Sequence, residues 1–300
     1  MKKLLYFQGG LGNQMFQYAF YLYLQKKGIS SLYVNTSSRS LHRHNGFELF
    51  GVFPRLQERP FQECNQRIIS WFLYLLYQSR TRIKYPTPYI LFEDKNNNYK
   101  ISNSSKKYIW IGFWQKNEYV EFVENELRSL LVFNHSSMEE KNFKLQIDTI
   151  QSCTNSVSIH IRRGDYLQKN LYPIYGTICT ANYYKKAIEY ISSQIQHPVF
   201  FIFSDDIPWA KENLGLKNAC YMEGNSGINS FKDMQLMSLC QHNIIANSSF
   251  SWWAAWLNVN QDKIVLSPDK WYNIDGDTTA EKLIPKTWIR IDTLGRLRNA

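Results

Sequence analysis

Several things are scarce in this chain, and each scarcity narrows the reading. Its five cysteines (Cys64, Cys153, Cys179, Cys220, Cys240) are odd in number and widely spaced, with no C-x-x-C pair. That usage suits a reducing compartment and argues against both a disulfide framework and a zinc site. Long apolar runs are missing, and no stretch reaches the ~20 residues needed to span a bilayer. The nearest candidate, Ile68–Tyr77, is flanked by Arg67 and Arg80 and reads as an amphipathic helix, able at most to touch a membrane surface. Leu4–Phe7 is too short for an export signal and runs into a glycine turn, so a first strand and a cytoplasmic protein are expected. Basic blocks are lacking as well. The net charge is +10, yet no Lys/Arg run exceeds two residues. A nucleic-acid binder concentrates its charge in a stripe or a module. The surplus therefore points to a phosphate-bearing substrate, with no nucleic-acid partner expected.

What is present is an alternation of strands and helices. Leu4–Phe7, the turn Gln8–Asn13, a helix over Gln14–Lys27 stopped by Gly28, and a strand at Ser31–Asn35 make an opening βαβ unit. The middle is less legible, with helices expected at Gln66–Gln78 and Glu118–Leu131 and a strand at Tyr108–Phe113. The polar stretch Gln151–Ser156 reads as a boundary between domains 1–155 and 156–300. Beyond it, strands are expected at Val157–Ile161, Val199–Phe203, Asn243–Ala246 and Lys263–Ser267. Between them come helices capped by Thr180, opened at Pro208 and closed by Gly215, spanning Ser230–Gln241, and capped by Asn247-Ser248-Ser249. The fold class is α/β, with two Rossmann-like halves.

Four polar clusters fall at strand ends, where ligands gather in open α/β sheets. Gly9-Gly10-Leu11-Gly12-Asn13-Gln14 is neither G-x-G-x-x-G nor a P-loop. Its glycines allow close backbone approach, the following helix offers N–H groups to an anion, and Asn13 and Gln14 suit sugar hydroxyls. His160-Ile161-Arg162-Arg163-Gly164-Asp165 ends a strand in two arginines, costly unless each finds a partner. Because neighbouring strand residues face opposite ways, one arginine can grip a diphosphate while the other pairs structurally. In Ser204-Asp205-Asp206 one carboxylate is expected to cap the next helix and the other to accept from a nucleotide, in either order. Asn247–Ser251 sets hydroxyls and N–H groups at a helix start, serving either as a plain cap or as an anion site. Asp275-Gly276-Asp277 is the only D-x-D, and with no strand leading into it we read it as a turn and expect no metal.

In this order the clusters resemble the α1,2-fucosyltransferase family, through GGLGNQMFQYAF at 9–20, SIHIRRGDY at 158–166, FIFSDD at 201–206 and DMQLMSLCQHNIIANSSFSWWAAWL at 233–257. The resemblance implies a GT-B architecture, two Rossmann-like domains facing a cleft, with the acceptor side at 1–155 and GDP-fucose bound at 156–300. It implies inverting transfer of L-fucose from GDP-β-L-fucose to the 2-hydroxyl of a terminal β-galactoside, with no cofactor or metal. Arg162 would bind the diphosphate with Arg163 beside it, Ser248 and Ser249 would lie near the phosphates, and His160 with Asp205 or Asp206 near the guanosine. Gly12, Asn13 and Gln14 would face the fucose or the acceptor. The general base stays open between Asp165 and His160, with Asp165 equally well placed to orient Arg163 or a loop. The absent anchor departs from the animal members and matches bacterial ones. A surface polysaccharide such as an O-antigen, made by a cytoplasmic enzyme in peripheral contact with the inner membrane, would then be the product's destination. Another GDP-sugar transferase, a protein fucosyltransferase or a non-enzymatic nucleotide binder are the rival readings.

Overall fold

The computed structural model describes residues 2–35, 45–58, 90–93, 101, 108–134 and 140–298. The helix expected at Gln66–Gln78, with the apolar stretch Ile68–Tyr77, lies outside them. The chain divides into two compact units, Met1–Asn134 and His135–Ala300.

The first unit contains β1 (Lys3–Phe7), α1 (Leu11–Lys26), β2 (Ser31–Asn35), a short α2 (Leu49–Val52), β3 (Ile90–Phe92), β4 (Ile109–Ile111), α3 (Asn117–Phe122) and α4 (Glu124–Leu130). Its strands are parallel in the order β2-β1-β4-β3. Tyr6, Val34, Ile90 and Ile111 form one core cluster. Phe20 of α1 stacks on Trp114 at 4.3 Å and leans on Tyr119 at 4.7 Å, tying α1 to the segment after β4. Gly28 has φ +70°, the left-handed stop that a helix C-terminus favours. The single helix expected over Glu118–Leu131 is two, because Val123 leaves helical geometry at φ −121° and ψ 21°.

The second unit carries α5 (Lys141–Gln151), β5 (Ser156–Ile161), α6 (Ala181–Gln194), β6 (Val199–Ser204), α7 (Ile207–Leu214), β7 (Ala219–Met222), α8 (Phe231–Leu239), β8 (His242–Ile244), α9 (Ser249–Leu257), β9 (Val265–Pro268), α10 (Thr279–Leu283), β10 (Ile289–Ile291) and β11 (Leu297–Arg298). The boundary expected at Gln151–Ser156 is therefore corrected to Asn134/His135. Helix α5 belongs with the second unit, where buried Lys232 of α8 pairs with Glu140 and lies over the Phe143 ring.

The sheet order is β11-β10-β9-β8-β5-β6-β7, parallel except for the edge pair β10–β11. Alternation along β5 does not mean a wet face. Val157, Ile159 and Ile161 pack with Tyr184 and Ile191 of α6, while Ser156, Ser158 and His160 are buried too. The serines are satisfied there, Ser158 Oγ accepting from Asn243 Nδ2 at 2.7 Å and Ser156 Oγ from Gln241 N at 3.1 Å. Phe200–Phe203 of β6 are buried as a continuous run, as a central parallel strand requires. Each such side chain contributes roughly 1.5–3 kcal/mol of burial. Thr180 caps α6 by accepting from Tyr183 N, and Gly215 closes α7 at φ +65°.

The order of connection fixes where a ligand can sit. From β5 the chain moves outward through β6 and β7, then returns to β5's other side for β8. The point where the order reverses, between β5 and β8 at their carboxyl ends, is the crevice in which open α/β sheets bind ligands. The first unit reverses likewise between β1 and β4.

Candidate active site

At the second unit's crevice, the segments after β5 and β6 bring three charged groups together. Arg162 Nη1 lies 2.9 Å from Asp205 Oδ2 and Nη2 lies 2.8 Å from Asp165 Oδ1. A guanidinium has five N–H groups, so donors remain for a further anion, and a third of the Arg162 side chain is exposed to meet one. Arg163 turns the other way. Its Nε donates to Asp206 Oδ2 at 2.9 Å and its guanidinium sits 4.3 Å over the Trp209 ring. Both arginines are thus ion-paired, Arg162 with Asp205 and Asp165 and Arg163 with Asp206.

The two aspartates separate in the same way. Asp206 Oδ1 accepts from Trp209 N at 3.1 Å and caps α7, and its carboxyl is held below the usual range chiefly by the Arg163 hydrogen bond. Asp205 instead accepts from Arg163 N at 2.8 Å and faces Arg162. Gly164 makes this approach possible, since a β-carbon there would lie 2.7 Å from Asp205 Oδ2. Asp165 is ion-paired with Arg162, not Arg163.

His160 is buried beside Phe250, their rings 5.7 Å apart. Its Nδ1 has no hydrogen-bond partner among the described residues. Burial lowers its pKa to about 4, with Asp205 opposing and Arg162 adding to the shift. The ring is therefore a neutral imidazole at pH 7, suited to accepting or donating one hydrogen bond and not to neutralising phosphate.

Asn247 joins the segments around the crevice. Its Nδ2 donates to the carbonyls of Tyr175 and Trp271, both at 3.3 Å, and its Oδ1 faces Cys179 Sγ at 3.4 Å. The Tyr166 hydroxyl donates to the Asn247 carbonyl at 3.0 Å, while its ring stacks on Tyr175 and lies 5.9 Å from the Arg162 guanidinium. Tyr172–Gly176 forms a π-helical turn between these contacts. Ser248 occupies the N-cap of α9 with no side-chain cap, and Ser249 is the first helical residue. No side chain closes the α9 N-terminus among the described residues, which leaves its first-turn N–H groups for an anion.

The first unit's crevice is arranged differently. Gly9 has φ +78°, and a β-carbon there would lie 2.6 Å from Asn13 Nδ2. Asn13 Oδ1 accepts from Gln115 Nε2 at 2.8 Å, bridging the reversal point between β1 and β4. Two expectations are corrected here. Gln14 does not reach a sugar: fully buried, it donates to the carbonyls of Gly9 (2.8 Å) and Gly46 (2.6 Å) and accepts from Glu48 N at 2.9 Å. Helix α1 begins at Leu11, which buries Gly12 in its first turn and gives the Leu11 N–H to the Glu48 carboxylate. An anion site at this helix start is thereby closed by the protein's own carboxylate.

Glu48, Gln115 and Asn247's anchoring role were not legible as site features, because each depends on partners distant in sequence. Asp233, in the first turn of α8 at the second unit's carboxyl edge, was also missed. Burial raises its pKa to about 7, and Asn225 Nδ2 donates to it at 2.8 Å. The D-x-D is a turn as expected: Gly276 has φ +70°, and Asp277 accepts from Tyr272 N, Thr279 N and Thr279 Oγ1.

His160 and Asp233 set opposing pH dependences. Between about pH 4 and 6.5 the unfolded chain protonates His160's imidazole and the folded one does not, so acidification destabilises. Between pH 3.8 and about 7 the folded state holds a proton on Asp233 that the unfolded chain lacks, so acidification stabilises. Asp233→Asn keeps the acceptor for Asn225 and removes only the second contribution. Its Tm is expected to fall more steeply than the wild type's from pH 6.5 to 4.5, and parallel curves in thermal melts would contradict this.

The sequence profile described as Glycosyl transferase family 11 matches residues 86–292. The chain belongs to glycosyl transferase family 11. Within that glycosyltransferase family it is 33% identical to an Escherichia coli alpha-1,2-colitosyltransferase, over 95% of this chain and 97% of the relative. It is 31% identical to the E. coli O-antigen biosynthesis glycosyltransferase WbnK, over 94% and 98%. A galactoside alpha-(1,2)-fucosyltransferase 1 from Saimiri boliviensis boliviensis matches at 31% identity over 34% of this chain and 28% of the relative. Among the described residues no helix is long and apolar enough to cross a membrane.

Proposed function

We propose that this family 11 enzyme is a GT-B-type α1,2-fucosyltransferase. In this reading it moves L-fucose from GDP-β-L-fucose to the 2-hydroxyl of a terminal β-galactoside during O-antigen synthesis, in the cytoplasm and in peripheral contact with the inner membrane. The observation that carries it is the second unit's crevice, where the unspent donors of Arg162 and the uncapped start of α9 gather beside a neutral His160. That combination suits a nucleoside diphosphate, whose negative charge grows as the sugar departs. Ser248 and Ser249 would line the phosphates, and Asp205 would fix Arg162 while accepting from the nucleotide. Asn13 would address the sugar or acceptor from the first unit. Arginine and helix N–H groups supply the neutralisation that a divalent ion gives elsewhere, so no metal is required.

A second donor is favoured by one finding, the full-length similarity to a colitosyltransferase. Colitose is the 3-deoxy counterpart of fucose, and the same diphosphate crevice would serve either. The test is incubation with GDP-fucose or GDP-colitose, lactose and EDTA, following GDP release and product linkage. An α1,2-linked product with GDP-fucose is the expected result. Turnover of GDP-colitose alone would reassign the sugar, and consumption of neither donor, with added metal and larger β-galactosides, would overturn the reading.

A further inference from the structure

A side-chain amide holds the carboxyl ends of β1 and β4 together. Gln17 of α1 accepts from Gln8 N at 2.9 Å, and its Nε2 donates to the carbonyls of Gln8 at 3.1 Å and Gly112 at 3.3 Å. Gln8, the residue after β1, is thereby fixed where the order of the first sheet reverses. Its own side chain is buried, with the residue only 4% exposed, yet Nε2 has no hydrogen-bond partner among the described residues. Leaving a buried donor unpaired costs the fold stability, and a ligand that accepts from it recovers that cost. A second donor lies close by. Asn13 Nδ2 packs against Gly9, the residue next to Gln8, so tightly that a β-carbon there would meet it at 2.6 Å. Gln115 orients this amide by donating to Asn13 Oδ1, and Asn13 Nδ2 donates to no described residue. Gly9 and Asn13 are partly exposed, so the turn that carries these donors is reached from solvent.

We propose that Gln8 Nε2 and Asn13 Nδ2 form a subsite for the hydroxyls of a neutral saccharide, complete within the first unit. Naming that saccharide the acceptor glycan rests on the transfer reaction inferred above. The charges fixed at this edge favour a neutral ligand. Glu48 takes the Leu11 N–H at the start of α1, and Glu93 Oε2 accepts from Phe113 N at 2.6 Å and Trp114 N at 2.9 Å. Two carboxylates repel a phosphate and leave an uncharged hydroxyl unaffected. Gln8 is the specificity-determining member of the pair. A hydroxyl that accepts from its buried amide is recognised, and an analogue lacking that hydroxyl leaves the donor unpaired. Asn13, at the exposed turn, is the outer contact.

A bound water would satisfy the same donor, so the test must separate water from saccharide. Gln8→Met keeps the length of the side chain and removes the amide. Its Tm without ligand is expected to match or exceed the wild type's, because an apolar group replaces an unpaired donor. Lactose, a terminal β-galactoside, is expected to bind the variant about tenfold more weakly in calorimetric titration, with GDP affinity changed less than about twofold. Among monodeoxy galactosides, one is expected to bind the wild type about tenfold more weakly than its parent, and Gln8→Met is expected not to distinguish the two. Equal lactose affinity in wild type and Gln8→Met would give the amide to a water and overturn the subsite, as would a wild type that binds no lactose. If Gln8→Met does not fold, wild-type side-chain amide NMR signals left unmoved by lactose would overturn it equally. Gln8-dependent lactose binding in a protein that consumes no GDP-sugar would keep the subsite and remove the transfer reaction.

Discussion

With Arg162 replaced by alanine, transfer from the GDP-sugar is expected to fall by about 10²–10³-fold in kcat, the loss typical of removing one donor to a developing charge. The guanidinium spans Asp165 and Asp205 and still has donors to spare, so its removal takes away the leaving-group contact and sets two carboxylates side by side without a counter-charge. Because the pair is partly exposed, the cost in stability is small, about 1 kcal/mol or less. Arg162→Lys keeps the charge but not the fork, and is expected to fall between alanine and wild type. Single-turnover rates and GDP affinity in the three proteins check this. An alanine variant within about fivefold of wild type would remove Arg162 from the chemistry.

Asn247→Ala is expected to damage both the fold and the crevice of the second unit. The amide is buried, and without it the carbonyls of Tyr175 and Trp271 lose that donor, at a cost of about 2 kcal/mol. For a unit the size of the second one that lowers Tm by about 4–8 °C. The same change releases the 166–176 and 271 segments from the start of α9, so GDP binding is expected to weaken by more than about tenfold. Calorimetry and GDP titration separate the two effects. A variant with lowered Tm and wild-type GDP affinity would show that Asn247 supports the fold and not the site.

Much of this was legible in the residues. Strand alternation at Val157–Ile161 announced β5, because side-chain direction follows from a period of two. Thr180 and Gly215 marked helix ends because capping and left-handed closure are local. Other features depend on contacts between distant segments. The helix start at Leu11 moved earlier than expected, because Glu48 supplies a carboxylate that no neighbouring residue predicts. Gln14 looked like a sugar ligand by residue type, yet its three hydrogen bonds lead to Gly9, Gly46 and Glu48. The domain boundary was misplaced for a similar reason. The polar stretch after α5 resembles a linker, while the contacts of Glu140 and Phe143 with Lys232 bind that helix to α8 of the second unit.

The crevice between β5 and β8 has a consequence for local unfolding of the second unit. Strands β5, β6 and β7 are contiguous in the chain and can assemble as a local unit. The crevice exists only once β8 pairs with β5, and that pairing is secured by Asn243 reaching Ser158, 85 residues away. Local openings that leave β5 and β8 together keep the crevice, whereas any opening that parts them destroys it. A donor bound there, as proposed, would draw its protection from a cooperative block that spans the middle of the sheet, and it should slow amide exchange in β5 and β8 together and not in the loops alone.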